Sequence, residues 1–94
     1  MQFPHIHMNG SDPAQLMEQY CRAEGALRAA ITALQAIDCN GRDYYPISSE
    51  ASSVAMNEKR ERLAKLEQIR CEMEAHALYI DEQITARANP KGTK

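Results

Sequence analysis

Asn40-Gly41-Arg42-Asp43-Tyr44-Tyr45-Pro46 divides the chain into two long helical patterns. It is the only stretch where turn-forming residues, a charge pair and two aromatics coincide. Asn40 or Gly41 is suited to the left-handed conformation that ends many helices. Pro46 biases Tyr45 towards an extended backbone. The chain therefore reads as helix, loop, helix.

Working back towards the amino terminus, Asp12-Pro13 gives helix 1 a clear start. Asp12 is the N-cap, Pro13 takes the first helical position where its missing N–H costs nothing, and Gln15 completes a capping-box pattern. Leu16, Tyr20, Ala23, Leu27, Ala30, Leu34 and Ile37 follow at alternating steps of four and three. That spacing lays one apolar seam along a helix predicted over 12–38. Met17, Cys21 and Ile31 widen the stripe, which suits a bundle of three or more helices. Gly25, inside the helix, is expected to mark a close approach of another helix.

Forward of the loop (39–48), serines 48, 49, 52 and 53 compete to cap helix 2, predicted over 49–88. Its seam is Leu63, Leu66, Met73, Ala77, Ile80 and Ile84, with Arg70 taking one apolar position. Glu58–Arg62, Glu61–Lys65 and Arg70–Glu74 are i,i+4 pairs of a solvated face. Glu72–His76 reads as a further surface pair. Cys71, Ala75 and Leu78 form a second, narrower apolar strip. Residues 89–94 read as a tail after Asn89-Pro90.

Residues 1–11 carry no helical period. His5 and His7 alternate with Ile6 and Met8, as in an extended arm with one face buried. Asn9-Gly10 then turns the chain. Helix 2 is the longer helix, so a hairpin is expected to leave residues 75–87 uncovered by helix 1. Phe3, Ile6 and Met8 are the nearest cover for 77–84, and a second subunit is another.

The predicted fold class is all-α: one domain, a long antiparallel hairpin with a short extended arm, assembled into a homo-oligomeric helical bundle. Ninety-four residues build a small core, and the 14 alanines bury little area each. Two amphipathic helices leave part of each stripe wet, so a dimeric four-helix bundle is the minimum closed arrangement.

With 11 basic and 13 acidic residues the chain makes no broad positive field, which argues against duplex nucleic acid as a partner. No apolar run reaches the roughly 20 residues that cross a bilayer, and a secretion signal is not evident. Cys21, Cys39 and Cys71, odd in number and widely spaced, read as free thiols of a cytoplasmic protein.

Three places could carry chemistry. Arg42 offers a planar fork for phosphate or carboxylate, and Tyr44 or Tyr45 a stacking surface. The candidate ligand-binding set is Arg42, Asp43, Tyr44 and Tyr45, joined by His7 and Asn9 from the arm of a neighbouring subunit. The same loop residues could instead stabilise the turn and plug the bundle end. His5-x-His7 with His76 could hold zinc only with further ligands, so no metal or cofactor is expected. The serines form no nucleophile–base spacing and the glutamates lack the Glu-x-x-His pattern of di-iron bundles. No enzymatic role is expected.

His7-Met8-Asn9-Gly10 before a capped helix, and Asn40 to Pro46 between helices, resemble a group of small phage and prophage proteins of unassigned activity. In plan, a short oligomeric hairpin is also similar to phage sponge proteins, which sequester cyclic-nucleotide signals of bacterial anti-phage systems. That resemblance implies a non-enzymatic protein binding a nucleotide-like anion to counter host defence. The alternative is a helical interaction module that inhibits or adapts a host protein.

Overall fold

A computed structural model of the chain describes residues 1–7, 10, 12–39, 41–44 and 46–88. It consists of α1 (Pro13–Gln35), a short α2 (Gly41–Tyr44) and α3 (Ala51–Ala88). Among the described residues there is no strand. The chain extends over 66 × 23 × 19 Å, with α1 packed along α3.

The start of α1 follows from its first residues. The Asp12 carboxylate accepts from the Ala14 N–H at 3.2 Å, and the Asp12 carbonyl accepts from the Leu16 N–H at 3.0 Å. Its end differs from the prediction. The helix stops at Gln35, three residues short of Asp38, and Ile37 lies beyond it, 52% exposed rather than in the seam. The last turn tightens, with Ala36 N–H donating to Ala33 O and Ile37 N–H to Leu34 O. The Lys59 ammonium of α3 then donates to Gln35 O at 2.8 Å and Ile37 O at 2.6 Å. A charged donor thus satisfies carbonyls that a left-handed residue would otherwise serve. Gly41 instead opens the helical α2, and Asn40 lies outside the described residues.

The loop predicted over 39–48 is therefore interrupted by α2, and α3 begins at Ala51 rather than 49. The serine cluster divides its work. Ser48 O accepts from the Ala51 N–H, while the Ser52 hydroxyl donates to Cys39 O at 3.0 Å and ties the loop to α3.

Three cross-links set the register of the hairpin: Gln35 with Lys59, Glu24 with Arg70, and Tyr20 with His76. Each step forward on α1 is matched by a similar step back on α3. Tyr20 on His76 is already two turns into α1, so α1 reaches further along α3 than the predicted hairpin allowed. The stretch beyond its end is instead 51–58, where the loop folds back over the first turns of α3 and α2 contacts it. The connection between α1 and α3, with α2 in it, is long enough to run alongside α3.

The α3 positions facing α1 are Leu63, Leu66, Arg70, Met73, Ala77, Ile80 and Ile84, all buried or half-buried. On α1 they are Leu16, Met17, Tyr20, Ala23, Glu24, Leu27, Ile31 and Leu34, all half-buried; Ala30, predicted in the seam, is exposed. Gly25 is exposed, and a Cβ there would meet nothing within 4 Å. It does not mark a close approach within the chain.

The arm lies against the far part of α3. The Phe3 ring stacks on Tyr79 at 4.7 Å and tilts against His76 at 4.8 Å, while Ile6 is buried. His5 and His7 are exposed, which is the predicted alternation. Met8 is outside the described residues. Ile80, beneath this layer, is 0% exposed.

Candidate functional site

The predicted ligand set divides between the two ends of the molecule. Arg42 and Asp43 are exposed on α2 and Tyr44 is half-buried there, at the amino-terminal end of α3. Tyr44 O accepts from the Ile47 and Ser48 N–H groups, so the residue shapes the turn whatever its ring does. Tyr45 and Asn9 lie outside the described residues. His7 belongs to the arm at the opposite end. Its ring stacks on His5 at 5.5 Å, and its backbone carbonyl accepts from the Gly10 N–H at 3.1 Å. A Cβ at position 10 would come within 2.9 Å of His7 Nε2, so a side chain there would push the exposed His7 ring aside. Ser52 and His76 mark the two regions and are about 36 Å apart along α3. One chain does not bring its arm and its loop together.

Beside the loop is a cleft of about 560 Å³ lined by Ile37, Cys39, Met56, Lys59, Arg60 and Leu63, among others. Arg42, Asp43 and Tyr44 do not line it. Lys59 is partly committed there to the two α1 carbonyls, and Arg60 donates to Asn57 Oδ1. The carbonyl end of α1 also opposes an anion at this place.

The polar centre of the hairpin is Arg70. Its guanidinium reaches Glu24 at 2.8 Å across the helices, Glu67 at 2.7 Å and Glu74 at 3.7 Å along its own helix. Glu24 also receives Arg28 at 2.6 Å. Hydrogen bonds from Arg28 and then Arg70 hold the Glu24 carboxyl below its usual range, and Arg70 does the same for Glu67. These carboxylates in turn raise the affinity of Arg70 for its proton. The apolar seam is thus interrupted by a satisfied ion-pair network. It joins the helices rather than building a reactive group.

His76 lies on the distal part of α3, where the arm is expected to dock and does dock, but it is not the surface partner of Glu72 that the sequence suggests. It is 5% exposed, and its Nδ1 lies 2.8 Å from the Glu72 backbone carbonyl. Nε2 lies 3.0 Å from Gln2 O, and the ring stacks on Tyr20 at 4.6 Å. With each ring nitrogen within hydrogen-bond distance of a backbone carbonyl, His76 is a structural hub of arm, α1 and α3. No group of three or more His, Cys, Asp or Glu among the described residues could hold a metal ion. Cys21, Cys39 and Cys71 are free thiols. Among the described residues, no helix is long and apolar enough to cross a membrane.

No protein-family model, curated protein or solved structure matches this chain.

Proposed function

We propose that this protein is a non-enzymatic helical interaction module whose hairpin completes its core against further helices, as a homo-oligomeric bundle or on a host protein. The observation that carries the reading is the deficit of buried apolar surface. Ile6 and Ile80 are the buried hydrophobic residues among those described, whereas Ile37, Val54, Met56, Ile69 and Leu78 are each more than 40% exposed. The chain exposes 7131 Å², against about 5,500 Å² for a compact folded monomer of 10.6 kDa. Even half of that excess equals the roughly 800 Å² that one partner contributes to a standard interface.

The test is thermal unfolding by circular dichroism across a concentration series. A hairpin that needs more helices melts at low temperature when dilute, and at higher temperature when a partner binds. A cooperative monomer with a high, concentration-independent melting temperature would overturn the reading.

The cleft of about 560 Å³ beside the loop favours a second reading, since it has the size of a small-molecule site. In it the protein sequesters a nucleotide-like anion, as sponge proteins do; Lys59 and Arg60 are the cations that line the cleft, and Arg42 on α2 does not line it. Calorimetric titration with linear and cyclic nucleotides tests it. No binding tighter than about a millimolar would dismiss it.

A further inference from the structure

We propose that the groove between α1 and α3 around Leu78 docks a basic amphipathic helix of another protein as a third helix; the proposal rests on the interaction-module reading and names the chemistry of its partner. The groove has a volume of about 380 Å³, with Met17, Cys21, Ala77 and Leu78 as its apolar part. Leu78 is 59% exposed, although His76 and Ile80 on either side of it are buried. Two residues turn a helix by about 200°, so Leu78 points away from the arm that covers His76 and Ile80. The arm closes one flank of the hairpin, and this groove is the flank left open.

Charge selects the occupant. Three carboxylates, Glu24, Glu74 and Asp81, line the groove against one arginine, Arg28. Glu24 is already engaged by Arg28 at 2.6 Å and by Arg70 at 2.8 Å. Glu74 reaches Arg70 only at 3.7 Å, and its side chain is half exposed. Asp81 is exposed, and among the described residues its side chain has no hydrogen-bond or ion-pair partner. The surroundings carry the same sign. From Glu67 to Glu82, α3 has five carboxylates and a single Lys or Arg, Arg70. Glu74 and Asp81 are two turns apart, about 10 Å, with Leu78 on the same face between them. A helix with one apolar ridge and basic residues at i and i+7 matches that pattern. A second copy offering this same face would set carboxylates against carboxylates, so it is not the occupant.

The walls select a helix. They are mid-helix backbone whose N–H and C=O groups are spent within α1 and α3, so an extended peptide would find nothing to pair its own backbone with. A helix arrives with its backbone satisfied and lays an apolar face into the groove. From Met17 to Arg28 the α1 wall is about 16 Å long, which is about three turns of such a partner.

The experiment is calorimetric titration of the full chain with two synthetic peptides of about 14 residues, or four helical turns. Both share one leucine ridge; one carries lysine on its polar face and the other glutamate. The lysine peptide is expected to bind one per chain in the micromolar range, more weakly as salt rises, and the glutamate peptide is not expected to bind. Glu74→Gln with Asp81→Asn should weaken binding about tenfold, and Leu78→Gln by at least as much. Circular dichroism should show unchanged helicity in both, because all three residues are exposed. Glu58→Gln with Glu61→Gln makes the same charge change at the other end of α3 and should leave binding unchanged. Equal binding of both peptides, or equal losses in the two double variants, overturns the groove, since attraction would then be to the charge of the whole chain. Sedimentation equilibrium of the wild type gives the outcome for a second copy: self-association abolished by Leu78→Gln would put that copy in the groove and overturn the partner helix. If the lysine peptide does not bind, the proposal falls, while the interaction-module reading stands as long as the hairpin melts at low temperature when dilute. A late, concentration-independent melt removes both.

Discussion

His76 is bonded across 74 positions of sequence to Gln2: its Nε2 sits 3.0 Å from the Gln2 carbonyl, while Nδ1 faces Glu72 O at 2.8 Å. Both partners are acceptors, and a neutral imidazole has one N–H to donate. The ring is also held between Phe3 and Tyr20. Replacing it therefore loosens the arm and both helices together. His76→Ala should destabilise the fold by roughly 2–3 kcal/mol through lost ring packing and a lost buried hydrogen bond. Deleting residues 1–8 should do at least as much, because Ile6 and Phe3 leave and Ile80 becomes wet, each worth roughly 1.5–3 kcal/mol when fully buried. Thermal denaturation checks both. An unchanged melting temperature after the deletion would mean the arm does not cover α3 in solution.

Gly25 lies mid-helix, exposed, with open space where a Cβ would stand. Gly25→Ala should raise stability by about 0.5–1 kcal/mol through helix propensity alone. Chemical denaturation measures it. A destabilising result would show that something packs on Gly25, and a matching loss of self-association would identify it as another copy.

The Glu24 carboxyl is held below the usual carboxylate range by hydrogen bonds from Arg28 and then Arg70. A carboxyl lowered by folding contributes stability that is fully present above the ordinary carboxylate range. It is lost as pH falls through the lowered folded value. Acid denaturation of the wild type should therefore set in below about pH 4.5, and Glu24→Gln should be less stable at pH 7 but flatter with pH on the acid side. A denaturant midpoint measured from pH 7 to pH 3 decides it. Equal slopes for the two proteins would mean the inter-helix pair adds nothing to pH dependence.

Lys59 holds the carboxyl end of α1 through Gln35 O and Ile37 O. Lys59→Met keeps the alkyl stem and removes the charged donor, so it should cost about 1–2 kcal/mol. The loss should appear first as faster amide exchange at Leu34 to Ile37, with the arm end unaffected. Faster exchange throughout the chain would mean the lysine acts on the whole hairpin rather than on the helix end.

Arg42 is exposed on α2. If an anionic ligand binds at the loop end, Arg42→Ala should weaken it about ten- to a hundredfold, since a charged hydrogen bond contributes roughly 1.5–3 kcal/mol. Arg42→Lys should recover part, because an ammonium lacks the planar two-point contact. Helicity should stay unchanged in both. Calorimetry with a nucleotide that binds the wild type is the measurement. Undiminished binding by Arg42→Ala would place the ligand away from α2, with the Met56–Arg60 cleft the next place to mutate.

The local signals of this chain were legible in its residues. Asp12-Pro13 caps α1, the three-and-four spacing selects the inner faces of α1 and α3, and alternation in residues 5–7 places Ile6 inward. These depend on near neighbours along the chain, so periodicity and capping chemistry suffice. Register, the end of α1 and the fate of polar groups depended on distant residues. Lys59 ends α1 by binding carbonyls 22 and 24 positions away, and Arg70 occupies an apolar seam position because Glu24 meets it there. His76 looked like a surface residue from its neighbour Glu72, and Gln2, Phe3 and Tyr20 bury it. The separation of His7 from Arg42 has the same origin. Sequence shows which side chains could bind an anion, but only the antiparallel register sets the arm at one end of α3 and the loop at the other, where two rigid helices keep them apart.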